Sequence, residues 1–371
     1  MVIDGRRVLY FAGTAYLGLQ AHPEVIRAAC EAGQRYGMGA ATSRAGFGNQ
    51  PPVLEAERAA GDYLGRAEAL YLPSAYLGPE VVLAAIGGQH PALFVDEFSH
   101  YALFDALKKL GRHAVTFRHR DPVELATKLR QKLGAGQSPL VISDGVFPAT
   151  GRLAPVPEYV AALSRYPGAG LMLDDAHGLG VLGDGGRGTL EHFGVEGVRV
   201  NSLDGRGAAS GAGAGVRHYD CATLSKALGS YGGIVGGEAR FVERCKAASH
   251  VYEGCNAPPA PVTAAAARAL RLLMDDPSPR HRLRENTRLL RAGLLRIGLD
   301  VEEDPTPVVA LDLGDGPWMA RVQARLLEEG VAIGYLRYPG TGERGLLRLA
   351  VSALHTGEMI EHLIQKLRRS L

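Results

Sequence analysis

The sequence predicts an α/β fold, a mostly parallel sheet covered by helices on both faces. Short apolar runs recur at residues 69–72, 92–95, 140–143 and 171–174, with stretches of helical period at 52–64, 80–86 and 122–133 between them. The runs do not alternate with polar residues, as expected of strands buried on both faces. Polar residues stand directly after the apolar runs, where ligands sit in such sheets: Ser74, Asp96 to His100, Asp144, and Asp174 to His177.

Taken in order, residues 52–64 open on Pro52, a residue suited to a helix start. The run Ala-Leu-Tyr-Leu at 69–72 reads as the first core strand, and 80–86 as the helix that returns the chain. Ala-Leu-Phe-Val at 92–95 is the next strand. Residues 122–133 open on Pro122 and carry apolar residues at three- and four-residue spacing, so they read as a helix. Leu-Val-Ile-Ser at 140–143 and Leu-Met-Leu-Asp at 171–174 complete the alternation.

Near residue 260 the texture changes. Pro258, Pro259 and Pro261 precede an Ala/Arg/Leu-rich helix at 262–274, and a Pro-rich stretch leads into another at 281–297. Strands are expected at 308–313, 331–333 and 346–351. The division is an N-terminal segment (1–35), a large domain (36–260) and a C-terminal small domain (261–371). The 371 residues suffice for one large and one smaller domain. Gly205 to Gly215 reads GRGAASGAGAG, which has little to bury and is expected to be a mobile insertion.

Composition narrows the function. Lys plus Arg number 41 against 39 Asp plus Glu, a net charge of +2, which argues against binding driven by nucleic-acid phosphates. The basic cluster Lys366, Arg368 and Arg369 closes the last helical stretch, where it suits the helix dipole. Four cysteines without CxxC spacing exclude a disulfide scaffold and a four-cysteine zinc site, and fit a reducing compartment. No stretch approaches the roughly 20 apolar residues that span a bilayer, and no signal-peptide pattern opens the chain. A cytoplasmic protein is expected, with no metal.

Gly178-Leu-Gly180-Val-Leu-Gly183 satisfies GxGxxG, yet the following Asp184-Gly-Gly-Arg-Gly188 cannot form the first turns of a helix. The dinucleotide reading therefore fails, because its pyrophosphate needs a helix N-terminus. A more informative constellation joins Asp174-Asp-Ala-His177-Gly to Thr223-Leu-Ser225-Lys226-Ala-Leu-Gly229. A lysine among small apolar residues has its pKa lowered, and a neutral amine can form a Schiff base. Thr223 and Ser225 offer hydroxyls to an anion such as a phosphate. Asp174, ending a buried strand, needs a cation, and a protonated pyridine nitrogen is one. Spacing alone leaves open a loop lysine and a capping aspartate.

Seven segments in order resemble the α-oxoamine synthases, pyridoxal-phosphate (PLP) enzymes of the aspartate-aminotransferase fold. They are Tyr16-Leu-Gly-Leu with His22-Pro23; Gly37-Met-Gly39 with Ser43-Arg44; Asp96-Glu-Phe-Ser99-His100; Asp144-Gly-Val-Phe147; Asp174-Asp-Ala-His177; Thr223-Leu-Ser-Lys226; and Arg348 with His355-Thr356. The resemblance implies fold type I: a seven-stranded, mostly parallel sheet between helices, plus a smaller α+β domain. It implies that Lys226 holds the cofactor and moves protons at the substrate α-carbon. Asp174 would pair with the pyridine nitrogen, His177 would bond the phenolic oxygen, and His100 would lie on the ring. Backbone amides at Ala75 and Tyr76 would receive the phosphate with Thr223 and Ser225, and Ser74 and Asp144 would join the cofactor site.

Arg348, Thr14 and Arg44 would meet the substrate. The implied reaction condenses an amino acid with an acyl thioester, on CoA or a carrier protein, and loses CO2 to give an α-aminoketone. A homodimer is implied. Transamination on the same scaffold and a non-catalytic partner subunit are the alternatives, the latter opposed by the presence of Lys226, Asp174 and His177. The chain departs from the family pattern mainly where substrate binds. Thr14 stands for asparagine, Val53 for histidine, Pro148 for serine, and Cys255 occupies the neighbourhood of a Ser or Thr.

Overall fold

The structure is a computed structural model, described at residues 1–195, 200–203 and 215–371. Seven strands form its main sheet: β1 (Glu68–Leu72), β2 (Ala92–Asp96), β3 (Ala114–Phe117), β4 (Pro139–Asp144), β5 (Gly170–Asp174), β6 (Arg217–Thr223) and β7 (Gly233–Gly237). Their order is β1-β7-β6-β5-β4-β2-β3, and only β7 runs antiparallel to its neighbours.

Side chains of period two divide between the sheet's faces. Leu93, Val95 and Met172 pack with Val81, Ile86, Leu103 and Phe241 on one side. Phe94, Leu171 and Leu173 pack with Leu125, Leu129, Tyr159 and Leu163 on the other. The helices start where their sequences provide caps. Asp121 accepts the Glu124 N–H at 2.8 Å ahead of Pro122–Lys132, and His100 caps Tyr101–Lys109.

A second, antiparallel sheet holds β8 (Val308–Leu311), β9 (Gly334–Leu336) and β10 (Leu346–Ala350) in the order β8-β10-β9. The N-terminal segment joins this region, since Leu9–Tyr10 pairs in parallel with Val331–Ala332. The helix Ala260–Asp275 packs on Pro23–Tyr36 and Pro51–Leu64. One apolar core, including Phe11, Tyr16, Leu270, Leu290, Leu347 and Leu363, runs through all of these elements.

Residues 178–183 form turns and are followed by the four-residue helix Thr189–His192, so no dinucleotide-type helix starts there. These glycines instead make room for Asp175. A Cβ on Gly178 or Gly188 would lie 2.0 or 1.7 Å from its carboxylate oxygens. Residues 205–214 of the glycine-rich insertion lie outside the described residues. Among the described residues no helix is long and apolar enough to cross a membrane, and no cluster of His, Cys, Asp and Glu suits a metal ion.

Candidate active site

The register of the main sheet assembles the site. Asp144 and Asp174 are partners at the ends of β4 and β5, and both carboxylates are buried. Burial raises both pKa values, while the nearby Lys226 charge opposes the rise. Asp144 accepts the His100 N–H at 2.7 Å, and Asp174 accepts the Ala176 N–H at 3.1 Å.

Lys226 sits on the turn after β6. The Leu224 N–H bonds Gly232 O at 3.0 Å, and Gly229 closes the turn at φ +63° through a bond to Lys226 O. A Cβ on Gly229 would stand 2.2 Å from the Gln20 nitrogen, so glycine is what allows this loop to rest on residues 19 and 20. Burial lowers the lysine's pKa, opposed by Asp174 and Asp144 and assisted by Arg348. Its amine has no hydrogen bond or ion pair among the described residues. Thr14, Gln20, Ser225, Lys226 and Ser230 line one cavity of about 460 Å³. A larger cavity of about 840 Å³, walled by Arg284, Arg288, Arg291 and residues 301–305, shares no lining residue with it.

His177 accepts or donates at Nδ1 to the Tyr16 hydroxyl, 2.7 Å away, and its Nε2 has no bonding partner among the described residues. Burial holds its pKa well below the usual value, helped by Lys226 and Arg348. Arg348 reaches the same tyrosine from β10, with Nη2 3.4 Å from the hydroxyl. Its Nε and Nη1 donate to Pro148 O and Ala12 O at 3.0 and 3.1 Å. Only 5% exposed, this guanidinium meets carbonyl and hydroxyl oxygens but no carboxylate among the described residues. A buried cation without a counter-charge is costly, and an incoming carboxylate would relieve it.

His100 caps its helix by accepting the Ala102 N–H at Nδ1, 3.1 Å away. Its ring also faces Tyr76 and Tyr338, with centroids 5.8 and 6.1 Å apart. Burial lowers its pKa, against the pull of Asp174. The cap thus fixes the ring between Tyr76 and Tyr338.

The turn after β1 and the end of β6 meet at Gly233, which pairs with both Leu72 and Thr223. Ser74 caps the turn Ala75–Leu77 by accepting the Tyr76 N–H at 3.2 Å, and the helix Gly78–Ile86 follows. A Cβ on Gly233 would lie 2.6 Å from the Ala75 Cα. Thr223 and Ser225 share a 2.7 Å hydroxyl contact at the same edge. Hydroxyls beside a helix start make a cradle suited to phosphate. With the unpartnered Lys226 amine, the free His177 Nε2 and the buried Asp174 carboxylate, these residues fit PLP.

Arg44 corrects the sequence reading. It lies buried against Glu57 in a fork–fork ion pair, with Nη2 to Oε2 at 2.9 Å. Its remaining donors go to Asn49 Oδ1 at 2.8 Å and Tyr71 O at 3.2 Å. With four of its five N–H hydrogens so occupied, Arg44 ties the residue 44–57 segment to β1 rather than standing open for a substrate carboxylate. His355 and Thr356 are likewise structural: His355 stacks on Phe11 at 4.0 Å, and Thr356 caps the helix Gly357–Ser370. Two residues went unassigned from sequence, Tyr16 and Tyr338. Tyr16 belongs to a quoted motif, but only its contacts give it a part. Tyr338 has its pKa pushed up to about 12 by burial and by Asp144, and no pattern in the sequence marks it.

The aminotransferase class I and II family model matches residues 6–367. The chain is 33% identical over 371 residues to the 8-amino-7-oxononanoate synthase of Nitrosococcus oceani, covering 98% of this chain and 92% of that protein. It is 34% identical to the synthase of Methylococcus capsulatus, covering 99% and 90%. A serine palmitoyltransferase solved with PLP as its internal aldimine superposes with a TM-score of 0.89 at 28% identity, covering 100% of this chain and 88% of that one. The Sphingomonas wittichii serine palmitoyltransferase gives 0.89 at 27%, with the same coverage. Ordered motifs, sheet topology and these likenesses agree: the chain belongs to the aminotransferase class I and II family, on its α-oxoamine synthase branch, and is a PLP-dependent transferase.

Proposed function

We propose that this chain joins the α-carbon of an amino acid to the acyl carbon of a thioester carried on CoA or a carrier protein. The thiol leaves, CO2 is lost, and an α-aminoketone results. The observation that carries the reading is Arg348, a buried guanidinium beside Lys226 and His177 with no counter-ion among the described residues. It is a ready receptor for an amino-acid carboxylate.

Bound PLP would supply an electron sink for the negative charge that develops at the α-carbon. Lys226, kept low in pKa by burial, takes and returns the α-proton. Asp174 would hold a proton on the pyridine nitrogen, and His177 would donate from Nε2 to the phenolic oxygen. His100, fixed by its cap and by Asp144, would stand against the ring. Ser74, the Ala75 and Tyr76 amides, Thr223 and Ser225 would receive the phosphate. Thr14 lines the cavity reached by Lys226 and contacts the substrate there.

A C2 homodimer belongs to the same reading, supported by Phe47, Met38 and Tyr231, which are 98%, 74% and 52% exposed. Cytoplasmic residence is supported by four free cysteines. The test supplies the holoenzyme with a panel of amino acids and acyl-CoAs, and follows free thiol and CO2. Thiol release that depends on the amino acid is expected. Accumulation of pyridoxamine phosphate without thiol release would replace this reading with transamination.

A further inference from the structure

We propose that Tyr16 is a positioning residue of this site: its hydroxyl, held by Arg348, fixes His177 as the Nε2–H tautomer and leaves that proton for a ligand. The consequence for catalysis rests on the proposed function, but the geometry does not.

A tyrosine hydroxyl has one hydrogen to give. Arg348 is donor only, so at its 3.4 Å contact the Tyr16 oxygen accepts. No other acceptor for the hydroxyl hydrogen is present among the described residues, which leaves His177 Nδ1 at 2.7 Å. Nδ1 then accepts, and a neutral imidazole must carry its proton on Nε2. The reverse arrangement, Nδ1–H donating to Tyr16, would strand a buried hydroxyl hydrogen. The charges near the ring favour neutrality, since Lys226, Arg348 and His100 all oppose a positive imidazole.

The surroundings hold this chain of contacts rigid. Tyr16 is 1% exposed and its backbone is tied to two segments, with its N–H on Thr14 O at 2.8 Å and its carbonyl accepting the Ala353 N–H at 2.7 Å. Arg348 is pinned by Pro148 O and Ala12 O. The N-terminal segment, β10 and the loop after β5 therefore meet at one hydroxyl. Through it, the receptor for the substrate carboxylate and the donor to the cofactor are joined. Removing the hydroxyl leaves the ring its packing but takes away the cause of its tautomer.

The test uses histidine-labelled apoprotein and long-range nitrogen–proton NMR, with His177→Asn to assign the signals. The wild type is expected to show protonated Nε2 and bare Nδ1. Tyr16→Phe should convert this to a mixture of tautomers with the melting temperature nearly kept. In the loaded enzyme, Tyr16→Phe should shift the pH titration of the cofactor's visible absorption and weaken PLP binding by about tenfold, the loss of one buried hydrogen bond. An Nδ1–H wild type, or a Tyr16→Phe protein with unchanged tautomer and unchanged titration, overturns the proposal. Should Tyr16→Phe not fold, scalar coupling across the hydrogen bond in the wild type decides it: a hydroxyl proton coupled to Nδ1 supports, an Nδ1-bound proton refutes. A wild type that binds no PLP would sink the proposed function while the apoprotein result still stood.

Discussion

Asp144 and Asp174 are register partners at the ends of neighbouring parallel strands, so two buried carboxylates converge on one edge of the sheet. Asp174 adds to the burial that raises Asp144's cost of ionising, and Lys226 is a cation whose charge opposes the rise in both. Their partners divide their work. Asp144 accepts the His100 N–H, whereas among the described residues Asp174 accepts only the Ala176 N–H. We expect Asp174→Asn to lower kcat/KM by on the order of a hundredfold or more. Asp144→Asn keeps an acceptor for His100 and should cost about tenfold at most. Steady-state kinetics on the two variants checks the order.

Replacing Lys226 with alanine should leave the fold intact, because the buried amine has no bonding partner among the described residues to lose. After borohydride reduction of the wild-type holoenzyme, mass spectrometry should find the cofactor on Lys226. The variant should carry none. An adduct on another lysine would contradict the assignment.

Arg44→Ala leaves the Glu57 carboxylate, 13% exposed, with the Tyr71 N–H at 2.8 Å as its remaining bond. Removing one member of a buried pair costs about 3–5 kcal/mol. Urea denaturation should show this loss, and the KM for the amino acid in whatever folds should stay near the wild-type value.

Gly229→Ala forces a left-handed backbone on alanine and drives a Cβ within 2.2 Å of the Gln20 nitrogen. We expect more than about 2 kcal/mol of destabilisation and, because the turn carries Lys226, a weaker grip on PLP. Thermal melts with and without cofactor would show both.

Asp175 has its carboxyl pKa raised to about 7 by burial, against the bonds from Thr189 N–H and Oγ1. A raised carboxyl means the folded state binds its proton more tightly than the unfolded chain does. Its contribution is therefore neutral below the ordinary carboxylate range and turns unfavourable as pH rises from about 4 to about 7. Stability curves of wild type and Asp175→Asn, compared across that window, should diverge with the wild type losing more. Parallel curves would show that Asp175 is ionised throughout.

Strands at 69–72, 92–95, 140–143 and 171–174 were legible because buried parallel strands are continuous apolar runs. β6 and β7 were not. β6 reads Arg-His-Tyr-Asp-Cys-Ala-Thr, and it is buried only because Asp220 finds Asn201 and Arg66. β7 reads Gly-Ile-Val-Gly-Gly, where glycine serves close backbone approach to Ala75 and Asn201. Pairing and close approach involve residues distant in the chain, and no local pattern encodes them.

The same division separates the site. Chemistry-bearing residues that stand next to one another in the chain, such as Asp174 with His177 or Thr223 with Ser225 and Lys226, announce a cofactor because their spacing and small apolar neighbours are local properties. Which charge is satisfied and which is left waiting is a property of contacts. Arg44 and Arg348 are both arginines within quoted motifs, yet one meets Glu57 and the other meets only oxygens of Pro148, Ala12 and Tyr16. The cost of a buried charge depends on what stands within a few ångströms of it, and tertiary packing alone decides that.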